Sequence, residues 1–418
     1  MLTAPALSLL TVSTVRLDAA STGGRALLEL LPEAGALAWV QDGEGLVGWG
    51  EAARLELTGP GRFLEAQAWW DALVGRAVVT DDVQRPGTGL VAFGSFAFDP
   101  ATGSSVLVVP EVVVGHRGDD WWITTVGRPA PGDRLPAREP VRPPSSVVFS
   151  DGALSGVDWM SAVQEAVGRI TSGAVDKVVL ARDLTALADE PVDVRWLLRR
   201  LERDYPGCWA FAVDGLLGAT PEMLLRLERG IATSRVLAGT LRRSGDPNED
   251  LRRGAELARS IKDVEEHGYG VRSVVDALAL HCTDVEVPSA PFVLELRNVM
   301  HLATDVRGVV GDGATSLQIV ASLHPSAAVC GSPTEVALEL IREIEGLDRG
   351  RYAGPVGWTD AAGDGEWGIA LRCAEVDPAD PRRLRLFAGC GIVAGSQPLH
   401  ELAESNAKLV PMRDALQG

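Results

Sequence analysis

Short hydrophobic runs alternate with polar residues over the first 125 residues, and glycine, proline or aspartate separates the runs. This pattern is typical of β-strands joined by turns. The pattern predicts the first strand from Leu7 to Leu17 and a helical segment that contains Trp69 and Trp70. Residues 127–147 are rich in proline and arginine, which predicts a surface loop that need not separate independent domains.

From Asp158 onward, the hydrophobic pattern switches repeatedly between helical and strand-like spacing. It predicts helices at Trp159–Ser172, Val194–Tyr205 and Thr334–Ile344, two helices between Glu249 and His281 that meet near Ser260 to Asp263, and a final helix near the C-terminus. It predicts strands at Lys177–Asp183, Cys208–Val213, Met223–Leu227, 354–358, 366–374 and 384–393, and paired strands from Leu296 to Val310.

Composition and charge narrow the classes of function. The chain has 418 residues, 46% of them hydrophobic, and a formal net charge of -18, which makes nucleic acid an unexpected partner because its binding depends on basic clusters. The sequence contains no run of about 18 apolar residues, so no membrane span is predicted. The five cysteines have no CxxC spacing, so we expect reduced thiols and a cytoplasmic protein. A monomer is the default expectation.

The segment from Phe387 to Lys408 carries the first candidate chemistry. Two apolar residues with strand-like character are predicted to lead into a turn that is rich in glycine. A helix is predicted to follow, and its spacing places three charged residues on one face. The glycines of this turn are Gly389, Gly391 and Gly395, and the charged residues are Glu401, Glu404 and Lys408. Two carboxylates on one face can hold Mg²⁺, whereas the alternative is an ordinary surface ion pair.

A second acidic pair has the same design. Asp263 and Glu266 are three residues apart in a predicted helix, which is also the spacing of a helix-capping box. Because the C-terminal segment offers a matching pair, two helices could hold one Mg²⁺ between them and leave positions for a substrate carboxylate and water. Both interpretations stay open from the sequence alone.

Several other residues have side chains suited to catalysis or to binding an anion. Lys177 begins a strongly apolar strand, where it either extends to solvent or forms a desolvated amine able to act as a base. Glu222 follows Gly-Ala-Thr-Pro in a predicted turn that leads into a strand, and it is either solvated or a protonated general acid. Arg372 lies on an apolar strand and needs an anion, from the protein or from a ligand.

Nine sequence strings together resemble those of the chorismate-utilising enzymes, a family that includes isochorismate synthases, salicylate synthases and the large subunits of anthranilate and aminodeoxychorismate synthases. The resemblance covers residues 158–415 in the family's order. The strings are KVVLAR, GATPE, LAGT, SIKDVEEH, NVMHL, LHPSAAVCGSP, DRGRYAGPVGW, GDGEWGIALRCAE and FAGCGIVAGSQPLHELAESNAK.

The resemblance implies a role for each matching residue. Lys177 is implied as the general base that activates water, and Glu222 as the general acid that protonates the departing hydroxyl. Glu266 and Glu404 are implied as Mg²⁺ ligands, with Asp263 and Glu401 holding metal-bound water. The positions implied to line the chorismate pocket are Gly239, Thr240, His301, Ala328, Tyr352, Arg372, Gly391 and Lys408.

The resemblance also indicates a reaction and a fold. Anthranilate synthases carry glutamine where Lys177 stands, and aminodeoxychorismate synthases carry a nucleophilic lysine where Ala238 stands, so water is the expected nucleophile. Salicylate synthases tend to carry threonine at Ala328, so the chain is expected to stop at isochorismate. The implied fold is α+β, a large layered α/β sandwich in a single domain over 1–418, with a variable part at 1–150 and a chorismate-binding part at 155–418.

Three alternatives remain open at this point. The chain could be a salicylate synthase, an ammonia-using chorismate enzyme, or a non-catalytic subunit that binds a glutaminase. The expected cofactor is Mg²⁺ and the expected small-molecule partner is chorismate. The product is expected to serve either menaquinone or siderophore biosynthesis.

Overall fold

Two large β-sheets face each other, and helices cover their outer surfaces. The computed structural model describes residues 9–127, 135–295 and 299–417. Among these residues the first sheet has 13 strands and the second has 10. All adjacent strand pairs are antiparallel except β1 and β5, which are parallel.

Strands are numbered along the chain. In spatial order, the first sheet contains β10 (Val147–Asp151), β11 (Lys177–Ala188), β23 (Arg383–Ile392), β22 (Cys373–Val376), β13 (Leu216–Thr220), β12 (Trp209–Val213), β2 (Leu37–Gln41), β3 (Glu44–Trp49), β8 (Val112–Arg117), β9 (Asp120–Val126), β1 (Leu10–Arg16) and β5 (Ala77–Asp81), with β19 (Gly331–Ser332) beside β11.

The second sheet follows the same numbering. In spatial order it contains β16 (Cys282–Glu286), β18 (Val299–Val310), β15 (Ile231–Arg242), β14 (Met223–Glu228), β21 (Gly365–Ile369), β20 (Pro355–Asp360), β6 (Val91–Ser95), β7 (Ser105–Val109) and β4 (Ala53–Leu57), with β17 (Phe292–Glu295) beside β18.

The α-helices of the described residues pack on the outer faces of both sheets. They are α1 (Arg62–Val74), α2 (Gly156–Thr171), α3 (Val194–Asp204), α4 (Pro247–Leu257), α5 (Ile261–Leu278), α6 (Ser316–Leu323), α7 (Thr334–Ile344) and α8 (Pro398–Gln417). Local sequence explains their starts: the Ser155 side chain accepts the Asp158 amide before α2, and Asp246 caps α4 in the same way. No helix in the described ranges is long and apolar enough to cross a membrane.

The main hydrophobic core lies between the sheets. It includes Trp39 from the first sheet and Trp367 from the second, both almost fully buried. A hydrogen bond of 2.9 Å from the Trp39 indole to the Glu366 carboxylate crosses this interface. A second core lies under α3 and α8, outside the first sheet. The resulting helix–sheet–sheet–helix layering confirms the expected α+β sandwich.

Both sheets mix strands from the two parts of the sequence. The early strand β2 pairs with β12 in the first sheet, and β6 pairs with β20 in the second. Hydrogen bonding therefore crosses the boundary between residues 1–150 and residues 155–418. The single-domain organisation remains a prediction that this continuity supports.

Most predicted elements are found within a few residues of their expected bounds, but three local predictions are wrong. Residues 366–374 form two strands in different sheets instead of one. Gly389 and Gly391 lie inside β23, so of the glycines in the predicted turn only Gly395 lies in it. Residues 216–220 form a strand, β13, where a turn was predicted before Glu222.

The acidic pair in the SIKDVEEH string is positioned by a helix start at Ile261. The Val264 amide donates to the Ser260 carbonyl at 3.0 Å, so Asp263 lies inside the first turn and is not the cap of the helix. The capping-box interpretation is therefore wrong for this residue. Between Leu296 and Val310, residues 299–310 form one long strand that pairs with Phe292–Glu295, and 296–298 lie outside the described residues.

Candidate active site

A cavity of about 270 Å³ opens between the ends of the two sheets and the start of α8. Its walls come from distant parts of the sequence. The sequence-predicted residues that line it are Lys177, Glu222, Gly239, His301, Ala328, Tyr352, Arg372, Gly391, Glu401, Glu404 and Lys408. The fold thus brings together most of the residues predicted from the sequence.

Glu222 and Arg372 lie where the chain passes from one sheet to the other. Glu222 follows β13 of the first sheet and precedes β14 of the second, and Arg372 lies between β21 of the second sheet and β22 of the first. The two crossings run side by side: the Ile369 amide donates to the Glu222 carbonyl at 3.1 Å, and the Ala219 amide donates to the Arg372 carbonyl at 3.3 Å. This arrangement fixes both side chains at the mouth between the sheets.

Burial controls the protonation of Glu222. Its side chain is only 7% exposed, and burial raises its pKa from the ordinary value of 4.5 to about 7. The cations Lys177, Lys408 and Arg372 act in the opposite direction, by favouring the carboxylate. A carboxyl group with a pKa near 7 can donate a proton at neutral pH, as a general acid must.

Arg372 is a buried cation whose side chain makes no hydrogen bond to any of the described residues. Its backbone has a φ of 48°, and its side chain is 8% exposed. Among the described residues no carboxylate or carbonyl accepts a hydrogen bond from its guanidinium, and burial lowers its pKa from the ordinary value. A buried guanidinium that faces a cavity in this way calls for an anionic ligand.

The turn at Arg372 depends on a glycine in the neighbouring strand. A Cβ atom at Gly218 would lie 2.7 Å from the Arg372 carbonyl oxygen and 2.6 Å from the Cys373 Cβ. Any side chain at position 218 would therefore push the crossing segment away from the cavity. The glycine in the GATPE string is explained by this close approach of two backbones.

The base candidate stands on the cavity side of β11. Lys177 and Val179 both line the cavity, as strand alternation predicted, and Val179 pairs with Gly391 on β23. The Lys177 side chain is only 5% exposed, so the solvent-exposed alternative for this lysine is wrong.

A glycine in β23 makes room for the aromatic wall. The Tyr352 ring stacks on Phe387 with centroids 5.1 Å apart, and a Cβ at Gly389 would lie 3.0 Å from the Tyr352 hydroxyl. Burial raises the pKa of Tyr352 well above its usual value, so the phenol stays protonated and can donate. Gly389 was predicted as a turn residue, but in the structure it lies in a strand, where the Tyr352 ring leaves no room for a side chain.

A β-bulge exposes backbone at the opposite wall. The register between β15 and β18 shifts around Gly239, which has a φ of 63°, and His301 pairs with Thr240 just after the shift. Burial, together with the nearby cations Arg372 and Lys408, lowers the pKa of His301 to about 3. His301 is therefore a neutral hydrogen-bonding group at physiological pH. The side chain of Thr240 lies outside the described part of the structure.

The face of α8 toward the cavity carries the C-terminal charges. The Lys408 ammonium lies 2.6 Å from a Glu404 carboxylate oxygen and donates to the Gly389 carbonyl at 2.9 Å. Burial opposes the charge of Lys408, but Glu404 outweighs it and the pKa is raised. The sequence left two alternatives for Lys408, an ordinary ion pair with Glu404 or a position in the cavity wall. The structure contains both.

Two carboxylates of α8 form a candidate cation site. Oxygen atoms of Glu401 and Glu404 lie within 4.8 Å of each other and of the Cys390 sulfur. Burial raises the pKa of the Cys390 thiol, so it stays protonated and only the carboxylates offer hard, charged donors. An oxygen donor pair that lines a cavity fits Mg²⁺. The side chains of Asp263 and Glu266, the other predicted ligands, lie outside the described part of the structure.

Sequence reasoning missed several lining residues. Phe387 and Leu237 form apolar parts of the wall, and Arg349 lines it next to Val329, whose carbonyl accepts a hydrogen bond from the guanidinium. Arg349 lies four residues after Glu345 in the sequence, a spacing that normally indicates a surface ion pair, so no sequence signal separated it from an ordinary pair. All five cysteines are free and buried, in agreement with the expected reduced thiols.

The fold and the cavity define an enzyme with a buried site that is lined by both cationic and carboxylate side chains. The sequence matches the family described as chorismate binding enzyme over residues 38–417, so the chain belongs to that family. This membership accounts for the shared strings along the chain, from KVVLAR to the C-terminal helix.

Three similar proteins place the chain more closely within the family. Isochorismate synthase DhbC of Bacillus subtilis is 42% identical over 62% of this chain and 67% of its own length. The salicylate biosynthesis isochorismate synthase of Pseudomonas aeruginosa is 34% identical over 91% of this chain and 84% of its own. A crystal structure described as a putative 2,3-dihydroxybenzoate-specific isochorismate synthase, DhbC, from Bacillus anthracis superposes with a TM-score of 0.78 at 30% identity, over 95% of this chain and 99% of that one.

Proposed function

We propose that this protein is an isochorismate synthase, which converts chorismate reversibly to its isomer isochorismate by adding a water at C2 and releasing the C4 hydroxyl as water. The activity of the similar proteins supports this proposal. The single observation that carries it is the Arg372 guanidinium, which is buried against the cavity without an acceptor among the described residues. A carboxylate of chorismate would supply that acceptor in a charge-assisted pair worth about 2 kcal/mol.

The charges of the cavity match a dianion. Arg372 and Lys408 provide cationic groups in the cavity, and a bound Mg²⁺ would offset the carboxylates of Glu401 and Glu404. A dianion could therefore bind at this place although the protein has a net charge of -18. The second carboxylate of chorismate would lie toward α8.

Two residues would move the protons. The Lys177 amine takes a proton from the attacking water as it adds to ring C2, and the Glu222 carboxyl gives a proton to the hydroxyl that leaves C4. Both side chains are buried, at 5% and 7% exposure, and both line the cavity in which the substrate would bind. His301, which is neutral, and Tyr352, which stays protonated, are suited to orient the ring by hydrogen bonds.

Mg²⁺ is the proposed cofactor. Glu404 of α8 and Glu266 of α5 are the proposed ligands, and Glu401 and Asp263, each three residues before one of them, would hold metal-bound water. When bound, the ion would neutralise a substrate carboxylate and fix its orientation.

Product analysis tests this function. Purified protein is incubated with chorismate and Mg²⁺, and the products are separated by chromatography. Isochorismate alone is the expected product. Salicylate with pyruvate would identify a salicylate synthase, and an aminated product formed only with ammonia or a co-purifying glutaminase would identify an ammonia-using enzyme; either result refutes the proposal.

We also propose that the protein acts as a monomer in the cytoplasm. The free cysteines support a reducing compartment. Light scattering of the purified protein is expected to give the mass of one chain, and a stable dimer would refute the monomer.

A further inference from the structure

One edge of the strand that carries Lys177 has a gap in its pairing. On the side away from β23, β11 pairs with β19 at Lys177 and Val178, and with β10 from Leu184 onward. Within the described ranges, residues 179–183 have no strand partner on that side. Their outward backbone groups must find other partners, since unpaired buried groups are costly.

At the two ends of this gap, the Val179 amide donates to the Cys330 carbonyl at 2.8 Å and the Asp183 carbonyl accepts from the Gly152 amide at 3.2 Å. Side chains bind the outward backbone groups between them. The Val179 carbonyl accepts from the Arg349 guanidinium at 2.7 Å, and the Ala181 amide donates to the Glu345 carboxylate at 2.7 Å. The Ala181 carbonyl accepts from the Trp159 indole at 2.9 Å. The backbone of β11 next to the base candidate is thus held by an ion pair from outside the sheet.

The ion pair is fully internal. Glu345 and Arg349 join through two hydrogen bonds of 2.7 and 2.6 Å, with their side chains 0% and 3% exposed. The guanidinium also lies 4.1 Å above the ring of Phe98. A buried ion pair adds little to stability compared with apolar residues of similar size, because both charges lose their hydration. Its presence here calls for an explanation besides stability.

The same guanidinium reaches a second wall of the cavity. It donates to the Val329 carbonyl at 2.9 Å, and Val329 follows Ala328, the residue implied in the choice between reaction outcomes. Arg349 therefore connects the strand of Lys177 to the segment of Ala328. Its four hydrogen bonds require the planar, five-donor fork of arginine, which lysine cannot reproduce.

We propose that the Glu345–Arg349 ion pair is a positioning element of the active site, which holds β11 and the Ala328 segment at the separation needed for Lys177 to take a proton from the attacking water. The inference rests on the proposed function for its catalytic part. Neither residue transfers a proton; both act through the backbone of Val179, Ala181 and Val329.

The test compares Arg349→Lys with a matched control, Arg342→Lys. Arg342 lies on α7, forms the same kind of two-bond fork with Asp99 at 2.6 Å, and is 42% exposed at the surface. Both variants keep the positive charge of the side chain but lose the two parallel hydrogen bonds that the guanidinium makes with its carboxylate partner. Hydrogen exchange over residues 177–184, the Kd of chorismate by calorimetry and kcat per binding-competent site are measured for each variant and for the wild type.

Arg349→Lys is expected to speed exchange of the 177–184 amides, to change the Kd of chorismate less than about threefold, and to lower kcat by about ten- to a hundredfold, the cost of a small misplacement of reacting groups. Arg342→Lys is expected to match the wild type in all three. Equal exchange and equal kcat in the two variants would overturn the positioning role, as would a loss confined to chorismate affinity.

A second variant covers the case in which Arg349→Lys does not fold. Glu345→Gln keeps an acceptor for the Ala181 amide but loses the charge, so faster exchange and a smaller fall in kcat are expected, and wild-type values of both would overturn the inference. Absence of isochorismate from the wild type would refute the proposed function. In that case exchange over residues 177–184 still decides whether the pair positions β11.

Discussion

Replacing Glu222 by glutamine is expected to inactivate the enzyme and to stabilise the fold, with a pH dependence that follows from burial. In the folded protein the pKa of Glu222 rises from 4.5 to about 7. One pKa unit corresponds to about 1.4 kcal/mol, so this rise is equivalent to about 3 kcal/mol.

The sign follows from proton binding. Between these two pKa values the folded protein keeps the proton on Glu222 while the unfolded chain has lost it, so the free energy of unfolding falls as pH rises. The loss is complete above the folded pKa and absent below the unfolded one. Glutamine cannot ionise, so Glu222→Gln does not show this fall in the free energy of unfolding.

Urea denaturation of both proteins at about pH 4.5 and pH 8 measures the effect. The stability of Glu222→Gln relative to the wild type is expected to increase by up to about 3 kcal/mol between the two pH values. Glu165→Gln is the control, because this carboxylate is half exposed on α2 and pairs with Arg169 at the surface. The activity of Glu222→Gln is expected to fall by about a hundredfold or more.

A difference in stability that does not change with pH would refute the burial of an ionisable carboxyl at this position. Activity close to the wild type would refute its role as general acid. These outcomes are independent, because the first depends only on the folded protein and the second on the reaction.

Three further substitutions test other parts of the site. Arg372→Gln is expected to raise the Kd of chorismate at least tenfold in calorimetry, since the buried cation and its charge-assisted pair are lost. Gly389→Ala is expected to lower the free energy of unfolding by about 1–3 kcal/mol, because the new Cβ would lie 3.0 Å from the Tyr352 hydroxyl. Glu404→Gln is expected to weaken Mg²⁺ binding about tenfold in a calorimetric titration without substrate.

Each of these has a result that contradicts it. Unchanged chorismate affinity in Arg372→Gln would mean that the guanidinium does not face the substrate. Gly395→Ala is the control for Gly389→Ala, since nothing lies within 4 Å of a Cβ there, and equal stability of the two variants would contradict the packing argument. An unaltered metal titration in Glu404→Gln would exclude that carboxylate as a ligand.

The sequence predicted residues of the site better than the path of the chain through it. Strand alternation placed Lys177 and Val179 on one face, and helical spacing placed Glu404 and Lys408 together, because these relations are local. The passage of residues 366–374 from one sheet to the other was not predicted, since both strands are apolar and hydrophobic pattern does not identify the sheet to which a strand belongs.

Buried polar contacts were the other feature that sequence could not reveal. Glu345 and Arg349 have the spacing of a surface pair, yet they complete the backbone hydrogen bonding of β11. Whether such a pair is solvated or buried depends on the gap between β19 and β10, which arises from strands distant in sequence. Local spacing carries no information about that gap.

The most direct test of the account follows the oxygen atom of the nucleophile. Chorismate and Mg²⁺ are incubated with the enzyme in ¹⁸O-labelled water, and the isochorismate formed at early times is analysed by mass spectrometry. If Lys177 activates water for attack at C2, each product molecule is expected to carry one ¹⁸O in its C2 hydroxyl. Isochorismate without label would mean that the hydroxyl migrates within the substrate, and it would contradict the assignment of Lys177 as the base that activates water.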